Sequence, residues 1–268
     1  MSSLPIKKKS VKEFILLSLL DGEKALGTLV NESEVKIGDG ERKGGSTVSH
    51  DLRKLEDLNL IVKRNGKCSL TSRGLIEAQI CKSSYASTAV LDSYQDFWLT
   101  HDITRLPPTL MVDIGALSGS TVLTATPSDL HFVHSHCVEA IHSAKAIRAI
   151  APIYHPDYIS AFRERLNLGI KIQLIATPII MEKLETEAPD LFSKYVDTGD
   201  FQLFINDDLG IAMVLTDSSY TFGLFDLNKR YDANANMFGT GQKGLVWASR
   251  LFALTLLDSV PYVYPKKP

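Results

Sequence analysis

The chain of 268 residues has three cysteines, Cys68, Cys81 and Cys137, far apart and with no paired metal spacing. That excludes a disulfide scaffold and a cysteine-built zinc site, and reduced structural thiols in a cytoplasmic protein are expected. Long apolar runs are missing. The longest, Phe14 to Leu20, is broken by Ser18, whereas a spanning helix needs about 20 residues, so no membrane segment is expected. Lys7, Lys8 and Lys9 precede that run in the manner of a signal peptide, but Lys12 and Glu13 interrupt it and Asp21 ends it. None of the seven histidines has a lysine two residues on, so no His-x-Lys phosphodiesterase centre exists. The one Gly-Lys pair, Gly66-Lys67, is followed by Cys68 rather than Ser or Thr, which excludes a phosphate loop.

What is present is ordinary for a globular protein. Hydrophobic residues make up 44% and charged residues 22%, enough to build a core and too apolar for intrinsic disorder. The length suggests about two domains. The net charge of −2 is unevenly divided. Residues 1–82 hold 15 of the 29 Lys and Arg and 11 of the 31 Asp and Glu, a net of +4, which leaves −6 for the remainder. A basic first module on an acidic body points to nucleic acid at one end and another task at the other.

The first module is legible in detail. Ser10 and Glu13 have the spacing of a capping box, and Val11, Phe14, Ile15 and Leu19 follow on one helical face. A second helix is predicted over about 23–32, burying Leu26, Leu29 and Val30. In the stretch Ser46 to Ile61, Val48, Leu52, Leu55 and Leu58 recur at helical spacing and are expected to face a core. Ser46, Thr47, Ser49, His50, Arg53 and Lys54 are left on the opposite face. Small hydroxyl residues opening a helix and long basic ones further along suit phosphates and base edges in a major groove. Leu60 to Arg64 and Lys67 to Thr71 read as strands around the tight turn Asn65-Gly66. That turn gathers Lys63, Arg64 and Lys67 for contact with DNA backbone. A further helix begins near Thr71 or Ser72 and carries Leu75, Ile76 and Ile80. This order resembles the winged helix-turn-helix of prokaryotic transcription regulators over about residues 10–82. The segment 33–44 departs from that pattern, since a helix-turn-helix turn has about 3–4 residues. Lys36, Arg42 and Lys43 within it are further candidates for DNA contact. A winged helix used only for protein contacts is the alternative.

Residues 83–106 read as a connecting helix with Tyr85, Tyr94, Phe97 and Trp98, ended by Pro107-Pro108. The marks Phe97-Trp98, His101-Asp102 and Leu106-Pro107-Pro108, with the alternating body that follows, resemble the archaeal methanogenesis regulatory proteins. That body also looks like the effector domain of sugar-responsive archaeal regulators, which has a phospholipase-D-like fold. The resemblance implies an N-terminal α+β winged helix and an α/β C-terminal domain with a mixed sheet. It also implies a homodimer that binds double-stranded DNA. The expected domains are 1–82 (winged helix), 83–110 (linker helix) and 111–268 (effector and dimerisation).

Read from its residues alone, the body alternates strands (about 119–125, 146–151 and 170–176) with helices (128–145, 155–167 and 178–195). That order predicts a parallel run. Antiparallel strands are expected near 200–206, 210–216 and 219–225, then a helix over 241–257 and a surface tail. Leu123-Thr124-Ala125-Thr126-Pro127 recurs as Leu174-Ile175-Ala176-Thr177-Pro178, and Ile150-Ala151-Pro152 lies between them. Strand exits of this kind lead into helix N-termini, where open sheets bind ligands and anions are favoured. Thr126, Ser128, Tyr154, His155 and Thr177 are therefore candidates for binding a small-molecule effector, with an anionic metabolite as the expectation. Ordinary strand-to-helix turns explain the same residues equally well. His131, His134, His136 and Cys137 look metal-like, but helical geometry turns His136 away from the other two histidines, and a polar helix face is the expectation. Gly239-Thr240-Gly241-Gln242-Lys243-Gly244 fits the dinucleotide pattern without a clear preceding strand. No metal, cofactor or catalytic residue is expected. The reading is a cytoplasmic transcription regulator; the alternatives are an α/β enzyme with an accessory winged helix, and a protein-binding scaffold.

Overall fold

A computed structural model describes residues 10–36 and 45–264, with side chains over 10–32 and 47–264. The chain divides into two compact units, Met1–Asp92 and Ser93–Pro268.

In the first unit, α1 (Val11–Ser18) opens with the expected capping box: the Ser10 hydroxyl accepts from the Glu13 backbone N–H, and the Glu13 carboxylate accepts from the Ser10 N–H. There follow β1 (Lys24–Ala25), α2 (Leu26–Lys36), α3 (Gly45–Asp57), β2 (Ile61–Arg64), β3 (Lys67–Leu70) and α4 (Ser72–Ser93). The strands form an antiparallel sheet in the order β1-β3-β2. Asn65 and Gly66 both have positive φ, as a tight two-residue hairpin requires. Phe14, Ile15, Leu29, Val48, Leu52, Leu55 and Ile61 share one core.

Two apolar side chains expected inside are outside. Leu26 is exposed, because α2 starts later than predicted and this residue opens it. Leu58 is 45% exposed, because α3 has already ended. Asn59 takes the left-handed conformation (φ 57°), the Asn59 N–H bonds to the Glu56 carbonyl and the Leu60 N–H to the Leu55 carbonyl. This is a Schellman stop. It places Leu60 rather than Leu58 in the core. Helix α4 also runs without interruption to Ser93, through the start of the segment read as a separate linker helix.

The second unit contains α5 (Gln95–Thr100), β4 (His101–Asp102), α6 (Pro108–Val112), β5 (Thr121–Thr124), α7 (Phe132–Ser143), β6 (Ile147–Ala151), α8 (Pro156–Asn167) and β7 (Ile172–Ala176). Next come α9 (Pro178–Glu187), α10 (Pro189–Leu191), β8 (Phe201–Ile205), β9 (Ile211–Thr216), β10 (Tyr220–Asp226), β11 (Tyr231–Gly239), α11 (Gln242–Leu257) and β12 (Val260–Pro261). The sheet is mixed, in the order β12-β8-β7-β6-β9-β10-β11-β5, with β4 paired to β10.

The parallel run is β6-β7-β8, not β5-β6-β7 as the alternation predicted. Strand β5 instead pairs antiparallel with β11 at the far end of the order. It is four residues long and Thr121 and Thr124 are exposed, so it has too little apolar surface for a position covered on both faces. Strand β8 reaches its parallel position because α9, α10 and a π-turn over Phe192–Val196 form the crossover that parallel pairing demands. Strand β11 was not predicted.

Two further expectations are corrected by packing. A strand does precede the Gly-rich sequence, but Cβ atoms on Gly239 and Gly244 would lie 2.4 and 2.3 Å from the Tyr220 hydroxyl. These glycines seat the buried Tyr220 ring, whose hydroxyl bonds to Ser120 Oγ at 2.6 Å. The described part of the C-terminal tail is likewise held: β12 pairs with β8, Tyr262 packs edge-on to Phe192 at 6.0 Å, and the Tyr264 ring lies tilted against it at 4.9 Å. No described helix is long and apolar enough to cross a membrane.

Backbone contact is tightest at Gly74 on α4, where a Cβ would lie 1.8 Å from the Leu60 carbonyl oxygen. Gly74→Ala is expected to destabilise the first unit by about 1–3 kcal/mol or more through overpacking, read as a lower urea midpoint, whereas Gly27→Ala, with open space around it, leaves the midpoint within about 0.5 kcal/mol.

Candidate functional site

Helix α3 is two-faced. Val48 and Leu52 are fully buried and Leu55 nearly so. Arg53, Lys54 and His50 are exposed, and Thr47 and Ser49 are half-buried. The His50 Nδ1 lies 3.6 Å from an Asp51 carboxylate oxygen. Ser46 lies in the first turn, but its side chain, like Lys36, Arg42 and Lys43, falls outside the described ones. The β2–β3 hairpin holds Lys63, Arg64 and Lys67, all exposed. Lys63 is paired with Glu56 at 2.8 Å and Lys67 with Glu23 at 2.6 Å. Among the described residues, Arg53, Lys54 and Arg64 have no such partner. The basic surface thus divides into three unneutralised cations and two that must exchange a carboxylate to meet a phosphate.

A second candidate site lies in the body. A narrow cavity of about 50 Å³ is lined from α7, α8, α9 and the strands β6, β7, β9, β10 and β11. Tyr154 and His155 line it; Thr126, Ser128 and Thr177 do not. Thr126 and Ser128 bond to each other at 3.0 Å in an exposed turn, and Thr177 caps α9 by accepting from the Ile180 N–H. The candidates at two of the strand exits are therefore turn and cap residues. Those after β6 reach the cavity.

Most of the wall is aliphatic or aromatic, and among the described lining residues there is no Lys, Arg, Asp or Glu. The deep polar groups are neutral. The Cys137 thiol donates to Thr221 Oγ1 at 3.6 Å, the Asn236 amide donates to Cys137 Sγ at 3.7 Å, and the Tyr231 hydroxyl donates to Asn236 Oδ1 at 3.3 Å. Gly223, paired with Asn236 across β10 and β11, makes room for them, since a Cβ there would meet Asn236 Oδ1 at 2.2 Å. Burial pushes the Cys137 thiol and the Tyr158 and Tyr231 phenols up from their ordinary values. Sequence reasoning missed Cys137, Thr221, Tyr231 and Asn236 as a group. Two of them come from β11, whose Tyr-Asp-Ala-Asn-Ala-Asn opening has no alternating apolar signal.

The cavity rim is more polar. His155 caps α8, accepting from the Asp157 N–H at 3.3 Å. Its ring lies 3.6 Å from the His134 ring, and His134 Nε2 is 3.0 Å from Asp157 Oδ2. Burial, then the charge of His134, lowers the affinity of His155 for its second proton, and the hydrogen bond from His134 holds Asp157 below the usual carboxylate range. The metal-like run therefore splits: His134 joins this cluster, His136 packs edge-on to Phe238 at 4.4 Å, and Cys137 faces the cavity.

Tyr154 donates to Glu187 at 2.5 Å, and burial together with that hydrogen bond pushes its phenol up to about 12. A raised phenol contributes fully below the ordinary value of 10.0 and loses its contribution as pH rises from there through about 12. The wild-type minus Tyr154→Phe difference in tyrosinate absorbance is expected to appear near pH 12; a difference already complete at the ordinary phenol value would refute the pairing with Glu187.

Residues 130–256 match the family model of the methanogenesis regulatory protein FilR1 middle domain. The cavity lining falls entirely within that stretch. The curated methanogenesis regulatory protein FilR1 of Methanothrix harundinacea (strain 6Ac) is 26% identical over 212 residues, covering 77% of this chain and 48% of the relative. The chain thus spans about half the length of that protein. Two solved structures are similar at lower levels. One is TrmBL2, described as an archaeal chromatin protein with a novel mode of DNA binding (13% identity, 96% of this chain and 95% of that one, TM-score 0.45). The other is NucT from Helicobacter pylori (14%, 53% and 98%, TM-score 0.43). Residues 130–256 are thus similar to the middle domain of the methanogenesis regulatory proteins.

Proposed function

We propose that the protein is a transcription regulator that binds duplex DNA through a winged helix in its first unit and responds to a small molecule held in its second. The observation that carries the DNA-binding reading is the division of α3 into a buried face of Val48, Leu52 and Leu55 and an exposed face bearing His50, Arg53 and Lys54. A helix anchored on one side and basic on the other can enter a major groove, with the β2–β3 hairpin against the backbone. Arg53 reads a base edge, with His50 beside it and Thr47 and Ser49 near the phosphates. Lys54 and Arg64 make the first phosphate contacts, and Lys63 and Lys67 follow by leaving their carboxylates. The regulatory name of the family relative supports the same reading. The body holds no His-x-Lys pair, so the phospholipase-D type of hydrolysis has no nucleophile here, and we assign the body to regulation.

The effector is a compact, largely apolar molecule, because the cavity walls are apolar and its polar groups neutral. It acts by binding one DNA-competent or incompetent arrangement better than the other. Two recognition helices about 34 Å apart require a dimer. The supporting surface is α4: Ile76 and Ile80 are each 63% exposed and Leu91 is exposed too. At 100° per residue they share one stripe, with Ser83 and Ser87 allowing close approach of a second copy.

Genomic fragments recovered with the protein provide a binding site for anisotropy titration. Arg53→Ala is expected to weaken specific binding by about 1–3 kcal/mol, and affinity falls steeply with salt. Unchanged affinity and selectivity in Arg53→Ala would sink the assignment of α3. Ile80→Asp, at an exposed position, is expected to convert a dimer to a monomer in sedimentation velocity with its melting curve retained; a variant that sediments like the wild type removes α4 from the interface.

A further inference from the structure

We propose that His134, His155 and Asp157 form a binding site for one divalent transition-metal ion of the zinc class at the rim of the cavity. The donors come from two elements. His134 lies on α7, and His155 and Asp157 open α8. One donor atom from each lies within 4.8 Å of the other two. The distances centre on a single carboxylate oxygen: Asp157 Oδ2 is 3.0 Å from His134 Nε2 and 3.7 Å from His155 Nδ1. In a tetrahedral zinc site with bonds of about 2.0–2.1 Å, neighbouring donors stand about 3.3 Å apart, so these separations bracket the required value.

The chemistry of the donors selects the ion. Two imidazoles with one carboxylate suit zinc and its borderline neighbours, whereas calcium and magnesium take all-oxygen sets. Three protein donors leave a coordination position open. His155 also lines the cavity, so an ion here stands at its mouth and supplies the positive charge that the described walls lack. An anionic group on a bound molecule would then meet a metal instead of a lysine or arginine. The His134–Asp157 hydrogen bond and the cap from the Asp157 N–H to His155 Nδ1 hold the cluster together without an ion, so zinc binding takes the His155 nitrogen from that cap. The proposal stands on geometry within the second unit and is independent of the DNA-binding reading.

The test uses tag-free, full-length protein stripped with chelator and titrated with zinc against a chromophoric competitor, then with cobalt(II). The expected result is one zinc per chain and the intense visible band of four-coordinate cobalt. His134→Gln and Asp157→Asn, both changes of side-chain chemistry at partly or largely exposed positions, are expected to weaken zinc at least about tenfold and to abolish the band. His136→Gln retains both. Zinc should also raise the melting temperature of the wild type by mass action and leave that of Asp157→Asn unmoved. Substoichiometric zinc in the wild type, or binding as tight in His134→Gln and Asp157→Asn as in the parent, overturns the site.

Discussion

The pairing of β6 with β7 governs the second unit. Because the two strands run parallel in register from Ile147↔Ile172 to Ala151↔Ala176, both chains leave the sheet at the same end. Each exit is followed by a helix with proline in its first turn, Pro156 on α8 and Pro178 on α9. Parallel pairing therefore brings Tyr154, His155, Asp157 and the first turn of α9 to one rim. Helix α7, which precedes β6, packs beside α8 and adds His134 and Cys137 to the same region. Cavity and rim cluster follow from that one arrangement of chain direction.

Much of the first unit was legible because its signals are local. The capping box at Ser10, the apolar stripe Val48, Leu52 and Leu55, and the Asn65-Gly66 turn each depend on residues a few positions apart. The errors lie where a local signal competes with another. Leu58 continues the helical period, but the left-handed Asn59 stops the helix first, and periodicity contains no information about that stop. In the second unit the individual helices and most strands were readable, whereas strand order was not. The rule that neighbouring strands pair in sequence put β5 beside β6. A nine-residue strand with Asn234 and Asn236 in it, invisible to alternation, takes β5 instead.

The candidate site was half visible for the same reason. Tyr154 and His155 stand directly after a strand exit and could be found from the repeated Ala-Pro pattern. Thr126 and Thr177 share that pattern, yet they satisfy backbone groups of their own turn or helix. The deep groups Cys137, Thr221, Tyr231 and Asn236 are spread over about 100 positions and meet only because α7 packs against β11 and Gly223 leaves space for an amide. The expectation of an anion rested on helix N-termini. The described lining contains no cation, so any attraction for negative charge must come from backbone or from something added at the rim.

The two margins of the large sheet differ in how they meet solvent. On one side β8 is covered by β12, a two-residue strand containing Pro261, and the chain beyond it is held by Tyr262 and Tyr264 against Phe192. On the other, β5 offers only four residues. Short or proline-bearing borders give a passing polypeptide little backbone to zip onto. Self-association by backbone pairing along the sheet is thereby discouraged at both ends, which leaves side chains as the surface any neighbouring molecule meets.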